Sequence, residues 1–173
     1  FQGEVAINAS GGLDADQITI DDANDLQLAD MHTKQLTANA GGDLTQSAGT
    51  TIEIDQAATF IAKGEIRLAT DATDVLKVGD LATFSSIDGK EIEVGVDNSV
   101  IRGTDSGATV EFGSLTFSSD DGKGLQDAVT IREDNATLLV GINQADSLVL
   151  TSAGAISNQA NAELNVAGNA TFT

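Results

Sequence analysis

The chain has no cysteine, no proline, no tryptophan and no tyrosine, and it carries one histidine and one methionine in 173 residues. Without cysteine there is neither a disulfide framework nor a thiolate metal site, so packing and hydrogen bonding must hold the fold. A serine or cysteine nucleophile needs a base beside it, and His32 is the single imidazole on offer. It sits in the polar stretch Asp30-Met31-His32-Thr33-Lys34 and reads as a solvated turn residue. The missing tryptophan and tyrosine remove the usual stacking floor of a saccharide cleft. Basic residues are scarce too. Against 27 acidic side chains there are 8 Lys and Arg, a net charge of -19, which excludes binding to nucleic acid and to anionic lipid. No apolar run approaches the roughly 18 residues of a membrane span, so this segment is not expected to insert into a bilayer.

What is present is a short-strand vocabulary. Hydrophobic residues make up 40% of the chain, mostly Ala, Leu, Ile and Val, and 18 glycines with abundant Asp, Asn, Ser and Thr supply turns. Apolar residues alternate in Ile18-Thr19-Ile20, Leu26-Gln27-Leu28, Ile52-Glu53-Ile54, Ile66-Arg67-Leu68, Ile92-Glu93-Val94 and Leu148-Val149-Leu150. Period two predicts half-buried strands, but at this spacing it fits an antiparallel sandwich as well as a solenoid.

Internal repeats separate the two. The shift that lays Leu36 on Leu148 also aligns, without a gap, Leu44 to Ala48 with Ile156 to Ala160, Ile52 with Leu164, and Ala58-Thr59-Phe60 with Ala170-Thr171-Phe172. Ala58-Thr59-Phe60 recurs sooner as Ala82-Thr83-Phe84, and Thr83-Phe84-Ser85-Ser86 recurs at Thr116 to Ser119. A third set starts Ile66-Arg67, Ile101-Arg102 and Ile131-Arg132. A sandwich has no reason to repeat its core sequence, whereas three short strands and three corners need about 22 residues per coil, close to the interval from Phe60 to Phe84. The expectation is an all-β fold: a right-handed parallel β-helix of about eight coils, a rod of about 38 Å, with like residues stacked in ladders. Phe60, Phe84, Phe117 and Phe172 are expected in the core. Phe1-Gln2-Gly3 reads as the scar of a cleaved tag on a piece of something longer. Residues 4–173 then form one solenoid, with irregular loops expected within 77–134.

Asp22 to Leu28, Leu36-Thr37-Ala38 and Gly41 to Ser47, with a second copy from Ala145 to Thr173, resemble the filamentous-haemagglutinin-type repeats of giant bacterial exoproteins. The resemblance implies a right-handed β-helix, secretion or cell-surface display, and a role as stalk, adhesin or surface-layer material. Expected partners are neighbouring repeats of the parent chain and a cell-surface or matrix ligand.

Chemistry is sparse. Carboxylates are numerous, but none stands out as an acid or base in a low-dielectric cleft, and Asp88-Gly89-Lys90 lacks the glycine spacing of a phosphate loop. No catalytic residue, cofactor site or required metal is assigned, and no enzymatic activity is expected. Weak calcium candidates are Asp14, Asp16, Asp21, Asp22 and Asp25, and Asp120 and Asp121 with Asp127, because calcium takes six to eight hard oxygens and these side chains cluster. The runner-up is a calcium- or carbohydrate-binding, or carbohydrate-active, β-helix. An ice-binding solenoid would require outward threonines aligned on one flat face over several coils. Arg67, Arg102 and Arg132 read as equivalent, stacked partners of acidic neighbours rather than substrate clamps.

Overall fold

In a strand, alternate side chains point to opposite sides, so each short apolar alternation presents one inward and one outward set. The computed structural model describes residues 4–7, 16–97, 104–119 and 128–173, and no helix occurs among them. After β1 (Glu4–Ile7), a first coil is formed by β2 (Ile18–Asp22) and β3 (Leu26–Thr33), whose two halves lie on different faces. The second coil is β4 (Leu36–Ala40), β5 (Leu44–Gln46) and β6 (Thr51–Ile54). The third is β7 (Ala58–Ala62), β8 (Ile66–Leu68) and the first half of β9 (Val75–Ser86). The fourth takes the second half of β9, then β10 (Ile92–Val94), the short pair β11 (Val96–Asp97) and β12 (Thr104–Asp105), and the first half of β13 (Thr109–Ser119). The second half of β13, β14 (Ala128–Glu133) and β15 (Thr137–Leu139) make the fifth. β16 (Ile142–Ala145), β17 (Ser147–Ser152) and β18 (Ile156–Asn158) make the sixth, and β19 (Glu163–Val166) and β20 (Ala170–Phe172) follow.

The strands stack in parallel as a three-faced β-solenoid. The first face runs β2, β4, β7, β9, β13, β16, β19. The second runs β3, β5, β8, β10, β14, β17, β20, with β1 preceding β3. The third runs β3, β6, β9, β13, and is continued by β15 and β18, displaced toward the first face so that Leu139 stands over Leu115. The lone antiparallel ladder among the described residues is β11 with β12, an excursion from one corner.

There are about six turns, fewer than the eight expected, because several coils, above all the one from Thr83 to Thr116, are longer than the expected step. Thr19, Thr37, Thr59, Thr83 and Thr116 are in register from coil to coil, yet the interval between successive members widens steadily along the chain. Six turns make a stack of about 29 Å at ~4.8 Å per coil. The stretch 77–134, expected to be irregular, holds most of the two longest strands, β9 and β13, which pair with each other; residues 98–103 and 120–127 within it lie outside the described residues.

The interior is a column of like residues. Phe60 and Phe84 stack with ring centroids 5.2 Å apart and planes 10° from parallel, and Phe84 meets Phe112 at 5.6 Å. Phe60, Phe84, Phe112 and Phe117 are at most 1% exposed. Phe172 faces inward too, in register with buried Leu150, yet is 48% exposed because no described strand lies on its other side. Where the chain turns from the third face to the first, coils approach so closely that a Cβ at Gly79 would sit 2.2 Å from the Asp55 carbonyl oxygen, and one at Gly113 would sit 2.2 Å from that of Gly79. Only glycine fits there. No helix among the described residues is long and apolar enough to cross a membrane.

Candidate functional site

The three faces differ in what they show to solvent. On the first, Thr19, Thr37, Thr59, Thr83 and Thr116 form one outward column, each directly in register with the next, at the ~4.8 Å coil spacing. The neighbouring outward column is Asp21, Asn39, Ile61, Ser85, Ser118 and Gln144, in which Asp21 is the one charge. Face and column follow from alternation: in Thr59-Phe60, Thr83-Phe84 and Thr116-Phe117 the β-branched hydroxyl points out and the ring points in. Thr171-Phe172, expected to be equivalent, lies instead on the second face, where Thr171 stacks on Val149. The threonines make a single column, with no second threonine column beside it.

Charge is gathered on the other two faces. The third presents His32, Glu53, Lys77 and Glu111 in register, with Lys77 Nζ 3.1 Å from Glu111 and His32 Nε2 3.2 Å from Asp55. His32 is therefore a strand residue in β3, not a turn residue, because the chain passes from the second to the third face without leaving extended geometry. Glu53, Asp55, Lys77 and Glu111 line a groove of about 460 Å³ together with Gly79, Gly113 and Asn135. On the second face Arg67 pairs with Glu65 at 2.5 Å and with Glu93 at 3.2 Å.

Arg67 and Arg132 are not equivalent. Ile66 is in register with Ile92 and Val129, while Ile131 is in register with Val94 and hence with Leu68, so the two arginines stand out of phase by one inward position. Arg132 donates to Asp134 instead, at 2.7 Å. Arg102 lies outside the described residues.

The acidic cluster near the first coil is dispersed by its geometry. Asp16 pairs with Lys34 at 2.5 Å, and the ammonium holds its carboxyl below the usual range. Asp21 faces outward and accepts from Asn39 Nδ2 at 2.5 Å, whereas Asp22, next along the strand, points inward and is 7% exposed. Asp25 Oδ1 accepts the backbone N–H of Asp43 at 3.0 Å, and Asp43 Oδ1 accepts that of Glu65 at 2.8 Å. Corner carboxylates thus staple one coil to the next through charge-assisted hydrogen bonds. Asp30 does the same to Thr51 N–H at 2.8 Å. Among the described residues no three His, Cys, Asp or Glu side chains converge as metal ligands; Asp14, Asp120, Asp121 and Asp127 lie outside those residues.

Two carboxyls do stand out, against the sequence expectation. Burial pushes Glu133 up to about 7, opposed by hydrogen bonds from the Thr137 hydroxyl, at 2.8 Å, and the Phe112 backbone. Burial first, and then the neighbouring Glu91 carboxylate, push Glu93 up to about 7, against the pull of Arg67. Both residues are 1% exposed. They do not form a catalytic pair. Glu133 continues the inward set Val129 and Ile131 of β14, while Glu93 belongs to the outward set of β10, so the sheet stands between them. Asp74, also 1% exposed, is spent on structure: it accepts the backbone N–H of Gly49 at 2.7 Å and of Asp71 at 3.0 Å. Asn143, fully buried, substitutes for a ladder partner by accepting from Phe117 N–H and donating to the carbonyls of Val140 and Glu163.

A family described as repeats of unknown function (DUF5649) matches residues 15–89 and 126–173. The chain belongs to this family. Comparison with curated proteins and with solved structures finds no match. The two matched stretches are the regular coils, and the interval between them contains the β11–β12 excursion, which lengthens the coil step from Thr83 to Thr116. Family membership supports a repeat architecture.

Proposed function

We propose that this chain is a structural and adhesive solenoid module of a large secreted or cell-surface protein, acting as a spacer that displays corner loops and lateral faces. The observation that carries the reading is the parallel stacking of like strands from coil to coil, in continuous register on the first face from β2 to β9: the same short strands and residue types recur along one axis, and the cross-coil bonds of the corner carboxylates serve that stacking. Catalysis needs a unique constellation held in one place, and a repeated ladder distributes its chemistry instead. The resemblance to filamentous-haemagglutinin-type repeats, read from the strand and turn pattern, agrees with secretion and a stalk role. The test is a melting curve in a strong chelator together with a polysaccharide cleavage screen. A melting temperature unchanged within a few degrees and no new chain ends are expected; a fall of tens of degrees, or depolymerisation, would sink the spacer reading.

The threonine column favours a second reading, a binding module for an uncharged, regularly repeating ligand such as a neutral polysaccharide or an ice lattice. A charge-free, hydroxyl- and methyl-bearing column is what such a ligand would meet. Replacing Thr59 and Thr83 together with Lys puts two charges in the middle of the column while leaving the inward phenylalanines in place. If the face binds, this variant should lose retention on insoluble neutral polysaccharide, or inhibition of ice recrystallisation, by about tenfold or more; equal behaviour of parent and variant would leave only the spacer.

A further inference from the structure

We propose that the level above β13 is a bending joint, at which the first and third faces part while the second face holds, before the coils on either side lose their own structure. β13 runs across two faces, and its two edges are served differently. Toward the coil below it is in register with β9 from Thr109 to Ser118, with one shift beside Gly113. Toward the coil above, among the described residues, it is in register with another strand at Leu115, Ser118 and Ser119 alone. Neighbouring levels are continuous: β7 lies between β4 and β9 without a break, and β14 is in register with β17 from Ala128 to Glu133.

Side chains fill the gap. The Val110 N–H donates to Asp134 Oδ2 at 2.8 Å, and the Phe112 N–H donates to Glu133. Asn135 Nδ2 donates to the Phe112 carbonyl at 2.9 Å, so Glu133, Asp134 and Asn135 take the place of a strand on the third face. On the first face Asn143 Oδ1 accepts the Phe117 N–H at 3.1 Å. A backbone partner is already fixed by its own strand, whereas a side-chain partner gives up rotamer freedom to hold the same group, so these bonds break more readily than a rung of the ladder. Burial keeps them made. Glu133 and Thr137 are 1% and Asn143 0% exposed, and polar groups in a dry interior stay paired until water arrives. Once the edge parts, water reaches all of them together. The second face is built otherwise: Ile92 to Val94 of β10 are in register with Val129 to Ile131 of β14, so a backbone ladder crosses the level there and serves as the strap about which the other two faces part. The joint also lies at the border of the second family-matched stretch, which begins at residue 126.

Amide hydrogen exchange reads the joint site by site. Protection at Val110, Phe112 and Phe117 should be at least about thirtyfold lower than at their register partners Leu76, Val78 and Phe84 in β9. Ile92 and Val94 in the strap, and Val129 and Ile131 above it, should stay within about threefold of those β9 amides. Equal protection on the two edges of β13 would mean that no joint exists, and a fall at the strap would mean that the upper coils unfold as a block; either overturns the proposal. The absence of native cysteine permits a clamp. Ser118→Cys with Gln144→Cys puts two outward thiols on register partners across the joint, at the ~4.8 Å strand spacing that a disulfide can span. When oxidised, this variant should gain about tenfold or more in protection at Phe112 and Phe117, and lose the gain on reduction. Ile61→Cys with Ser85→Cys, the same clamp between β7 and β9, should leave those amides unchanged. A clamp across the joint without effect, or an equal effect from the lower clamp, also overturns the proposal.

Discussion

Leu36 to Phe60 and Leu148 to Phe172 share one sequence pattern and have opposite fates. In the first stretch Leu36 is 2%, Ile52 0% and Phe60 0% exposed; in the second the aligned Leu148 is 1%, Leu164 37% and Phe172 48% exposed. Alternation decides which way a side chain points in both. Burial is decided by the coil above, which Phe60 has and Phe172 lacks among the described residues. A repeated strand is thus half of a core, and the neighbouring repeat supplies the remainder. The contrast extends to charge, since the interior coils carry corner carboxylates that bond across the stack while the last coil is nearly neutral.

The sharpest way to break this comparison is at Phe84, which stacks on Phe60 at 5.2 Å and contacts Phe112 at 5.6 Å. Phe84→Ala removes a ring that stacks on Phe60 of the coil below and meets Phe112 across its own coil, and it should cost about 3–5 kcal/mol, since the packed layers on either side cannot collapse into the space. Denaturant unfolding reads it directly. A loss near ~1 kcal/mol would mean that the aromatic column is not continuous.

Much of this was legible beforehand. Period two in segments such as Ile66-Arg67-Leu68 was enough for the strands, and the two shorter recurrences of Thr-Phe are true coil steps, placing Phe84 on Phe60 and Phe117 on Phe84. The long shift is different. It carries Leu36 on the first face to Leu148 on the second, and Ile52 on the third to Leu164 on the first, so it rotates the pattern by one face. Three faces built from the same short strand cannot be told apart by similarity, and for that reason Thr171-Phe172 looked equivalent to Thr59-Phe60. The threonine column was hidden for a related reason: the step from Thr83 to Thr116 is far longer than that from Thr19 to Thr37, and no fixed period survives corners of such different length. The corner staples of Asp25 and Asp43 depend on which backbone amide the next coil brings within reach, which composition cannot express. Glu133 could have been found, since it falls in phase with Val129 and Ile131 in Ala-Val-Thr-Ile-Arg-Glu.

Glu133 sharpens the comparison from the polar side, because it is an interior position filled by a carboxyl rather than a ring. Its folded value of about 7 lies above the ordinary 4.5, so the native state holds the proton more tightly than the unfolded chain. The stability contributed by that proton is complete below about pH 4.5, declines as pH rises, and is gone above about pH 7. Glu133→Gln keeps the shape and the Thr137 contact without the charge. Relative to the parent, the variant should gain about 2–3 kcal/mol between about pH 4 and pH 8. Parallel stability curves for the two proteins across that range would show that Glu133 is solvated in the folded state.

Phe172→Ala should have the smallest effect, and it isolates what the missing neighbour is worth. Phe172 has the orientation of Phe84, the same preceding threonine, and a buried residue beneath it in Leu150. It differs in one respect, that nothing described lies above it. With about half its surface still in water it has surrendered only part of the roughly 1.5–3 kcal/mol that full burial contributes, and truncation leaves a notch open to solvent rather than a sealed cavity. The loss should be about 1 kcal/mol or less, read by denaturant unfolding. A cost of about 3 kcal/mol or more would mean that Phe172 is packed as fully as Phe84, and the distinction between the two stretches would fail.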